Sequence, residues 1–385
     1  MRYLEQPLTE LLPDSVLREA DRFANDRAYL PNASSVPCYF DIETTGLHSD
    51  TDYVYEIGAV WKTEAGYVFR QWFSEGPSEE ETLLRDFLAS LPDRFSLLHF
   101  NGDTFDIPFL KKRFLLYRID APNYDTSVDL YRLFRPIKTL AGLSSCRQKD
   151  LEPLAGYSRI DPYDGGTLIR FYAEYVGIHK FNPEKAEALL SDLMRHNRED
   201  LLGLVSLCRL YPVFFLRTGC ITDAEIYGMT DDTVSLRLLS EYSLPDGISL
   251  AKPVRQLLSL ADTSSEAKLK LTVSNGNLIL EIPILKEPAK HYYPNYRDYF
   301  YLPLEGRVIH KSIASHIDRN YRRQATREEA FDWFRGELLP QGTDVFQPCF
   351  SYNGKDKCIL FPLRELTKRE DLLKDYAVSL LALIG

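Results

Sequence analysis

Two acidic side chains in an apolar segment are the first residues of this sequence that can do chemistry. Asp41 and Glu43 stand two positions apart in the run FDIETTG. Because side chains alternate across a strand, both carboxylates project from one face, and Cys38, Phe40 and Ile42 project from the other. Burying two like charges together is costly unless a cation compensates them. The pair therefore indicates a cation site, although this spacing alone is more often a solvent-facing strand edge.

Two later segments add a histidine and two more carboxylates. Asp106 follows a loop that carries Asn101, and it begins a predicted helix with Pro108 in the first turn. Taken alone, it is a simple helix cap. His196 and Asp200 are four positions apart on a long predicted helix, so both can reach one site. Such a pair alone is usually a surface contact, but the three segments together supply four carboxylates and an imidazole.

The elements that must position these residues follow from the hydrophobic pattern. Runs rich in β-branched and aromatic residues predict strands over 36–42, 55–61, 67–73, 96–100 and 127–130. Amphipathic spacing predicts helices over 8–28, 79–90, 106–117 and 185–209. Strands followed by strand–helix alternation are typical of an α/β sheet with helices on its faces.

The pattern changes from about residue 220 onward. Residues 234–239 and 268–273 alternate with period two, and Asn275-Gly276 between two such runs predicts a tight hairpin. Helices are predicted over 312–323 and 326–336, the second opened by a Thr326/Glu329 capping box. This part is predicted to be a smaller α+β module with an antiparallel sheet. The predicted division is a helical lead-in and linker (1–34), a first domain (35–218) and a C-terminal module for nucleic acid or a partner (219–385).

Composition limits the class of protein. The 46 Lys and Arg against 56 Asp and Glu give a net charge of −10, which argues against non-specific coating of nucleic acid. The six cysteines are scattered without a C-x-x-C pair, so neither structural zinc nor a disulfide framework is expected. No apolar run is long enough to span a bilayer, and MRYLEQPLTE lacks the pattern of a signal peptide. We expect a cytoplasmic protein without a membrane partner.

The three segments and their order resemble the DEDD family of ribonuclease H-like 3′→5′ exonucleases. The motifs are FDIETTGL at 40–47, HFNGDTFDIPF at 99–109 and HNREDL at 196–201, and the resemblance covers residues 36–210. With Asp150-Leu-Glu152 and Asp164-Gly-Gly166 between them, they are most similar to the YprB-like group. The family places Tyr four residues, or His five residues, before the last Asp. Here His196 holds the tyrosine spacing, so its role as general base or as a residue that only orients water stays open.

The resemblance implies a ribonuclease H-like mixed sheet flanked by helices and an enzyme that hydrolyses phosphodiester bonds. Asp41, Glu43, Asp106 and Asp200 would bind two divalent cations, and His196 would hold or deprotonate the attacking water. Oxygen ligands suit Mg²⁺ or Mn²⁺. The implied activity is a metal-dependent 3′→5′ exonuclease, with DNA favoured, in DNA repair or processing.

The implied partners are single-stranded or 3′-ended nucleic acid and, from family association only, a helicase. Two alternatives stay open: a catalytically weak nucleic-acid-binding scaffold, and a structure-specific endonuclease of the same superfamily, which would cut circular DNA. DNA and RNA are not distinguished, since nothing in the sequence indicates a contact to a 2′-hydroxyl.

Polar, basic and aromatic side chains around the motifs and in the C-terminal module are candidates to contact nucleic acid. They are Thr44, Asn101, Phe105, Lys111, Arg319, Arg322 and Arg323. Helical spacing favours a core position for Phe105, whereas for Lys111 a solvated helix face is an equal alternative. The three arginines belong to the densest basic region of the chain, next to the aromatic run at 291–301.

Overall fold

The computed structural model describes residues 1–217, 220–242, 244–258, 267–354, 356 and 358–384, without the side chains of 139, 140 and 215–217. The chain forms two compact units. Unit 1 comprises Met1–Thr139 and Leu143–Tyr211, and unit 2 comprises Leu140–Gly142 and Pro212–Gly385. The predicted boundary at 218/219 lies outside the described residues. Among the helices in these ranges, none combines the length and the apolar character that crossing a membrane requires.

Unit 1 is built on one mixed sheet flanked by helices. Its strands are β1 (Arg2–Pro7), β2 (Val36–Thr44), β3 (Val54–Thr63), β4 (Gly66–Phe73), β5 (Phe95–His99) and β6 (Ser127–Asp129). Its helices are α1 (Asp14–Ala24), α2 (Glu80–Ser90), α3 (Asp106–Leu116), α4 (Leu130–Leu140), α5 (Gln148–Leu151), α6 (Gly165–Ile178) and α7 (Pro183–Ser206). The strand order is β1-β4-β3-β2-β5-β6. Strands β2, β5 and β6 run parallel and the other pairs run antiparallel, so the predicted α/β class is confirmed.

The N-terminal segment differs from its prediction as a helix over 8–28. Arg2–Pro7 pairs antiparallel with β4 at the edge of the sheet, and the α-helix is confined to Asp14–Ala24. Pro13 stands directly before this helix in an extended conformation. Because the residue before a proline avoids the helical region, Leu12 cannot continue a helix into α1. The lead-in therefore contributes a strand that the apolar pattern did not indicate.

The two faces of β2 carry different residue types, as its alternation predicts. Phe40 and Ile42 pack in a core cluster with side chains of α2 and α3, such as Phe87 and Leu110. On the opposite face, helix α7 lies against β2 and β3. A second core cluster, with Tyr55, lies on the side of α6 and α7. Consequently the sheet presents its acidic side chains to α7.

Unit 2 is dominated by antiparallel strands. They are β7 (Ile221–Met229), β8 (Thr233–Ser240), β9 (Ser249–Pro253), β10 (Lys268–Ser274), β11 (Asn277–Pro283), β12 (Ala289–Tyr292), β13 (Tyr299–Leu302), β14 (Arg307–His310), β15 (Arg323–Gln324), β16 (Phe331–Phe334), β17 (Leu338–Gln341) and β18 (Ile359–Pro362). Its helices are α8 (Lys311–Ala314), α9 (Leu363–Leu366) and α10 (Leu373–Ile384). The main sheet has the order β7-β8-β11-β10-β9. The predicted hairpin is confirmed: Asn275 and Gly276 join β10 to β11 with φ of 50° and 72°.

The helices predicted over 312–323 and 326–336 are wrong. The first range contains the short α8, a 3₁₀ turn at Arg319–Tyr321 and the start of β15, and the second contains β16. The predicted capping contact does form, with the Thr326 N–H donating to Glu329 Oε2 at 3.0 Å. After one turn, Phe331–Phe334 instead pairs with β12. Its sequence FDWF favours a strand, and a single turn is too short to sustain a helix.

Candidate active site

Asp41 and Glu43 lie on β2 beneath α7. Asn197 of that helix donates from Nδ2 to Asp41 Oδ2 at 3.0 Å. Gly58 stands opposite Asp41 on β3, and a Cβ atom there would lie 2.1 Å from Asn197 Oδ1. The glycine therefore permits the close approach of α7 that brings its side chains to the acidic face of β2.

His196 and Asp200 extend this acidic face from α7. His196 Nε2 lies 3.2 Å from Asp200 Oδ2 and 3.7 Å from Glu43 Oε1. One ligand atom from each of these three side chains falls within 4.8 Å of the others. The exposed fractions of the Glu43 and Asp200 side chains are 14% and 20%, so the group is recessed yet open to solvent.

Asp106 is the first residue of α3 and is buried. The loop before it is held by His99, whose Nδ1 accepts from the Gly102 N–H at 2.9 Å and whose Nε2 therefore donates to Ser127 Oγ at 2.8 Å. A Cβ at Gly102 would lie 2.8 Å from the His99 ring. The side chain of Phe105, directly before α3, makes no capping hydrogen bond. The Asp106 carboxyl interacts with its own backbone N–H and with that of Ile42 on β2.

The carboxylates of the site share one electrostatic environment, and this affects the pKa values of Asp41 and Glu43. Burial raises the pKa of Asp41 well above its usual range, and the negative charges of Asp200, Asp106 and Glu43 raise it further. Burial also raises the pKa of Glu43, to which Asp200 and Asp106 again contribute. Carboxylates from two strand positions and two helices therefore repel one another across one pocket. A bound cation would relieve that repulsion.

Asp106 contacts the same strand. Burial raises its pKa to about 7, while the backbone N–H groups of Asp106 itself and of Ile42 offset part of the effect. The charges of Asp129 and Asp200 raise it further. Since Ile42 stands between the two acidic residues of β2, Asp106 lies against that pair. All five residues predicted to form the site thus meet beside β2.

We expect the cation-free protein to lose stability as the pH rises. A carboxyl whose folded-state pKa is raised stabilises the fold below its unfolded-state pKa, and this contribution is lost as the pH rises through the folded-state value. For Asp106 that window runs from about 4 to about 7. In chelator, the melting temperature should fall across this window, more steeply than in Asp106→Asn. Saturating Mg²⁺ or Mn²⁺ should restore it. Identical slopes in the two proteins would contradict this assignment of the Asp106 pKa.

A segment before α6 supplies partners that the sequence did not indicate. Asp161 Oδ2 lies 2.5 Å from His196 Nδ1, and Arg159 Nη1 lies 2.5 Å from Asp200 Oδ1. Arg159 also pairs with the buried Glu152. These residues are far from α7 in sequence and follow no periodic pattern, so only the tertiary structure relates them to the motifs.

A fifth carboxyl group lies beneath the site. Glu56 is fully buried on β3, in register with Glu43, and its Oε1 accepts from Gln71 Nε2 at 2.8 Å. Burial raises its pKa, and the charges of Asp41 and Asp200 raise it further. A neutral Glu56 avoids adding another negative charge to the pocket.

The donor set fits a divalent metal. Carboxylate oxygens bind Mg²⁺ and Mn²⁺, and an imidazole nitrogen is a further donor for transition metals. Neighbouring ligands of one octahedral ion lie about 3 Å apart. The separations of 3.2 and 3.7 Å from His196 Nε2 to the two carboxylates are close to this spacing. All three side chains can therefore hold a cation with little rearrangement, or Glu43 and Asp200 can hold it while His196 Nε2 stays free to bind a water.

The candidate nucleic-acid contacts in unit 1 differ in exposure. Thr44 Oγ1 donates to the Gly46 carbonyl at 2.7 Å, and the exposed Asn101 has a φ of 63°. The ring of Phe105 packs against the core. Lys111 is exposed on α3, with Nζ 6.0 Å from the centre of the Tyr124 ring. Asn101 and Lys111 are therefore accessible to solvent, whereas Phe105 has a packing role.

In unit 2 the three candidate arginines are not equivalent. Arg323 pairs with Glu329, with Nη1 2.7 Å from Oε2. Arg322 donates from Nη1 to the Ala314 carbonyl, and its guanidinium lies 4.9 Å from the centre of the Phe300 ring. Arg319 is exposed. Internal contacts thus already occupy part of the hydrogen-bonding capacity of two of them.

Comparison with known proteins identifies the class of fold. Residues 38–211 match a family model described as the RNase_H superfamily, RNase_H_2. This range holds β2 to β6 and the whole candidate site. Unit 1 therefore has a ribonuclease H-like fold, and the resemblance inferred from the motifs is confirmed at this level.

Individual relatives are more distant. The chain is 27% identical over 176 residues to the uncharacterized protein YprB of Bacillus subtilis, a match that covers 44% of this chain and 40% of YprB. A family B DNA polymerase from Pyrobaculum calidifontis is 16% identical with a TM-score of 0.35, covering 47% of this chain and 25% of the polymerase chain. E. coli exonuclease I in complex with a dT13 oligonucleotide is 14% identical with a TM-score of 0.29, and the match covers 64% of this chain and 65% of the exonuclease chain.

Proposed function

We propose that the protein is a two-metal-ion-dependent 3′→5′ exonuclease that hydrolyses phosphodiester bonds of single-stranded nucleic acid, with DNA favoured. The observation that carries the proposal is geometric: ligand atoms of Glu43, His196 and Asp200 lie within 4.8 Å of one another, next to Asp41 on the same strand as Glu43. The raised pKa values of Asp41 and Glu43, due first to burial and then to neighbouring carboxylates, support it. The match of residues 38–211 to the RNase_H superfamily supports nuclease activity. A role in DNA repair or processing and a helicase partner follow from the family resemblance alone.

Asp41, Glu43, Asp106 and Asp200 would hold the cations, with Asp41 as the shared ligand. When bound, divalent ions stabilise the charge that develops on the attacking and leaving oxygens during displacement at phosphorus. Asp41 is suited to this position because its carboxylate interacts electrostatically with each of the other three.

His196 would handle the attacking water. Its Nε2 faces Glu43 and Asp200, and its side chain is only 7% exposed. A water held at Nε2 would stand beside the carboxylates that bind the cations. Imidazole can accept a proton near neutral pH, so Nε2 would take the proton as the water attacks.

Incubation of end-labelled strands with Mg²⁺ or Mn²⁺ tests this proposal. With 5′-labelled single-stranded DNA we expect a ladder that shortens from the 3′ end, and with 3′-labelled DNA the early release of labelled mononucleotide. Circular single strands should survive, because an exonuclease needs an end. Cutting of circles would instead support the endonuclease alternative, and parallel RNA substrates decide the sugar preference.

Unit 2 is proposed to contact the strand through Arg319, Arg322 and Arg323. Neutralising all three to Gln should raise the Kd for single-stranded DNA. It should also make the affinity less dependent on salt. The slope of log Kd against log salt concentration should decrease by about 0.7 for each phosphate that the variant no longer neutralises.

The matched control removes the same charge elsewhere in unit 2. Arg364, Lys368 and Arg369 make surface ion pairs near α9, and their replacement with Gln should leave the slope unchanged. Equal slopes for both triple variants would remove the three arginines from the interface.

A further inference from the structure

The segment Arg159–Asp161 contacts three side chains on one face of α7. His196, Glu199 and Asp200 follow one another at helical spacing, so they project to the same side. Glu199 Oε2 accepts the backbone N–H groups of Ile160 at 2.9 Å and Asp161 at 2.8 Å. This buried carboxylate fixes the segment to the helix between the two residues assigned to the site.

The Asp161 side chain is surrounded by donors. It is fully buried, and Oδ2 lies 2.5 Å from His196 Nδ1 and 3.7 Å from Lys149 Nζ. The Tyr163 N–H donates to its other oxygen at 3.2 Å. A carboxylate that receives these groups acts as an acceptor, so the proton of the hydrogen bond to His196 belongs to Nδ1.

When the imidazole is neutral, a proton on Nδ1 leaves a lone pair on Nε2. Nε2 faces Asp200 Oδ2 at 3.2 Å and Glu43 Oε1 at 3.7 Å. Without Asp161, the proton could move to Nε2 and donate to Asp200, and Nε2 would then offer neither a proton acceptor nor a ligand atom.

We propose that Asp161 is a positioning residue that fixes His196 in the Nδ1–H tautomer and directs the Nε2 lone pair at the Glu43 and Asp200 end of the site. The same segment also orients Asp200, because Arg159 binds Asp200 Oδ1 and leaves Oδ2 facing His196. The catalytic use of this lone pair rests on the proposed nuclease function, but the tautomer does not.

Nitrogen NMR of the full chain with labelled histidine tests the proposal directly. In Mg²⁺-loaded wild type at about pH 8, the His196 signals, assigned by their absence in His196→Ala, should show a protonated Nδ1 and an unprotonated Nε2. In Asp161→Ala the proton should move to Nε2. Asp161→Asn keeps an acceptor oxygen and should restore the Nδ1–H form. Glu184→Ala removes an exposed carboxylate from the first turn of α7 and should change neither signal.

Kinetics supply the second measurement. Asp161→Ala should lower kcat about 10- to 100-fold, the usual effect of losing the outer partner of a functional histidine, and should change KM much less. Asp161→Asn should recover part of the loss. Two NMR results would overturn the proposal. One is a wild-type His196 that carries a proton on Nε2, with or without a second proton on Nδ1. The other is an unchanged tautomer in Asp161→Ala. Absence of nuclease activity in a wild type with the expected NMR pattern would instead refute only the proposed function.

Discussion

The Asp41→Asn variant is expected to lose cation-dependent hydrolysis while keeping its fold. Asp41 interacts electrostatically with Asp200, Asp106 and Glu43, so its replacement would remove the carboxylate that we propose as the shared ligand. Bound divalent ions would contribute several kcal/mol of transition-state stabilisation, which corresponds to a loss of about 10³-fold or more in rate. Single-turnover cleavage of 5′-labelled DNA at saturating Mg²⁺ measures this loss.

Stability provides the control for Asp41→Asn. The new side chain keeps an oxygen that can accept from Asn197 Nδ2, and it removes one of several mutually repelling carboxylates. In chelator its melting temperature should therefore equal or exceed that of wild type, as expected when a strained site is relieved. Asp192→Asn, on the surface of α7, should keep wild-type turnover. Undiminished cleavage by Asp41→Asn would exclude Asp41 from the mechanism.

The His196→Ala variant is expected to lose rate rather than affinity. Removal of a group that takes the proton of the attacking water costs about 10²- to 10⁴-fold. His196 is nearly buried beside Glu43 and Asp200, so little of its surface is available to bind the strand. Single-turnover rates and the Kd for single-stranded DNA, the latter measured in chelator to prevent cleavage, separate the two effects.

The exposed His316 in unit 2 is the matched control, and His316→Ala should keep both the rate and the Kd of wild type. A His196→Ala protein with a weaker Kd and an unchanged single-turnover rate would contradict a water-handling role. It would indicate that the imidazole contacts the strand.

The residues that share a periodic element were predictable from the sequence. Alternation along β2 separated Asp41 and Glu43 from Phe40 and Ile42, and the structure packs the apolar pair in the core. Helical spacing placed His196 and Asp200 on one face, and their facing atoms are 3.2 Å apart. In both cases local backbone geometry determines which side chains lie together, so the spacing in the sequence carries the information.

The residues that act through tertiary contacts were not predictable in this way. Asp161 and Arg159 lie in an irregular segment, which Glu199 fixes to α7 by accepting the backbone N–H groups of Ile160 and Asp161. Near Thr326 the opposite occurred, since a correct local capping contact did not extend into a helix. There Phe331–Phe334 pairs with β12, and strand pairing between distant segments outweighs a local signal.

Crystals soaked with Mn²⁺ and measured above the manganese absorption edge test the central claim most directly. The claim is that acidic residues far apart in sequence form one cation site. The account predicts anomalous peaks within bonding distance, about 2.2 Å, of carboxylate oxygens of Asp41, Glu43 and Asp200, and their weakening in Asp200→Asn crystals. Manganese bound only at other surface carboxylates, with this recess empty at saturating Mn²⁺, would contradict it.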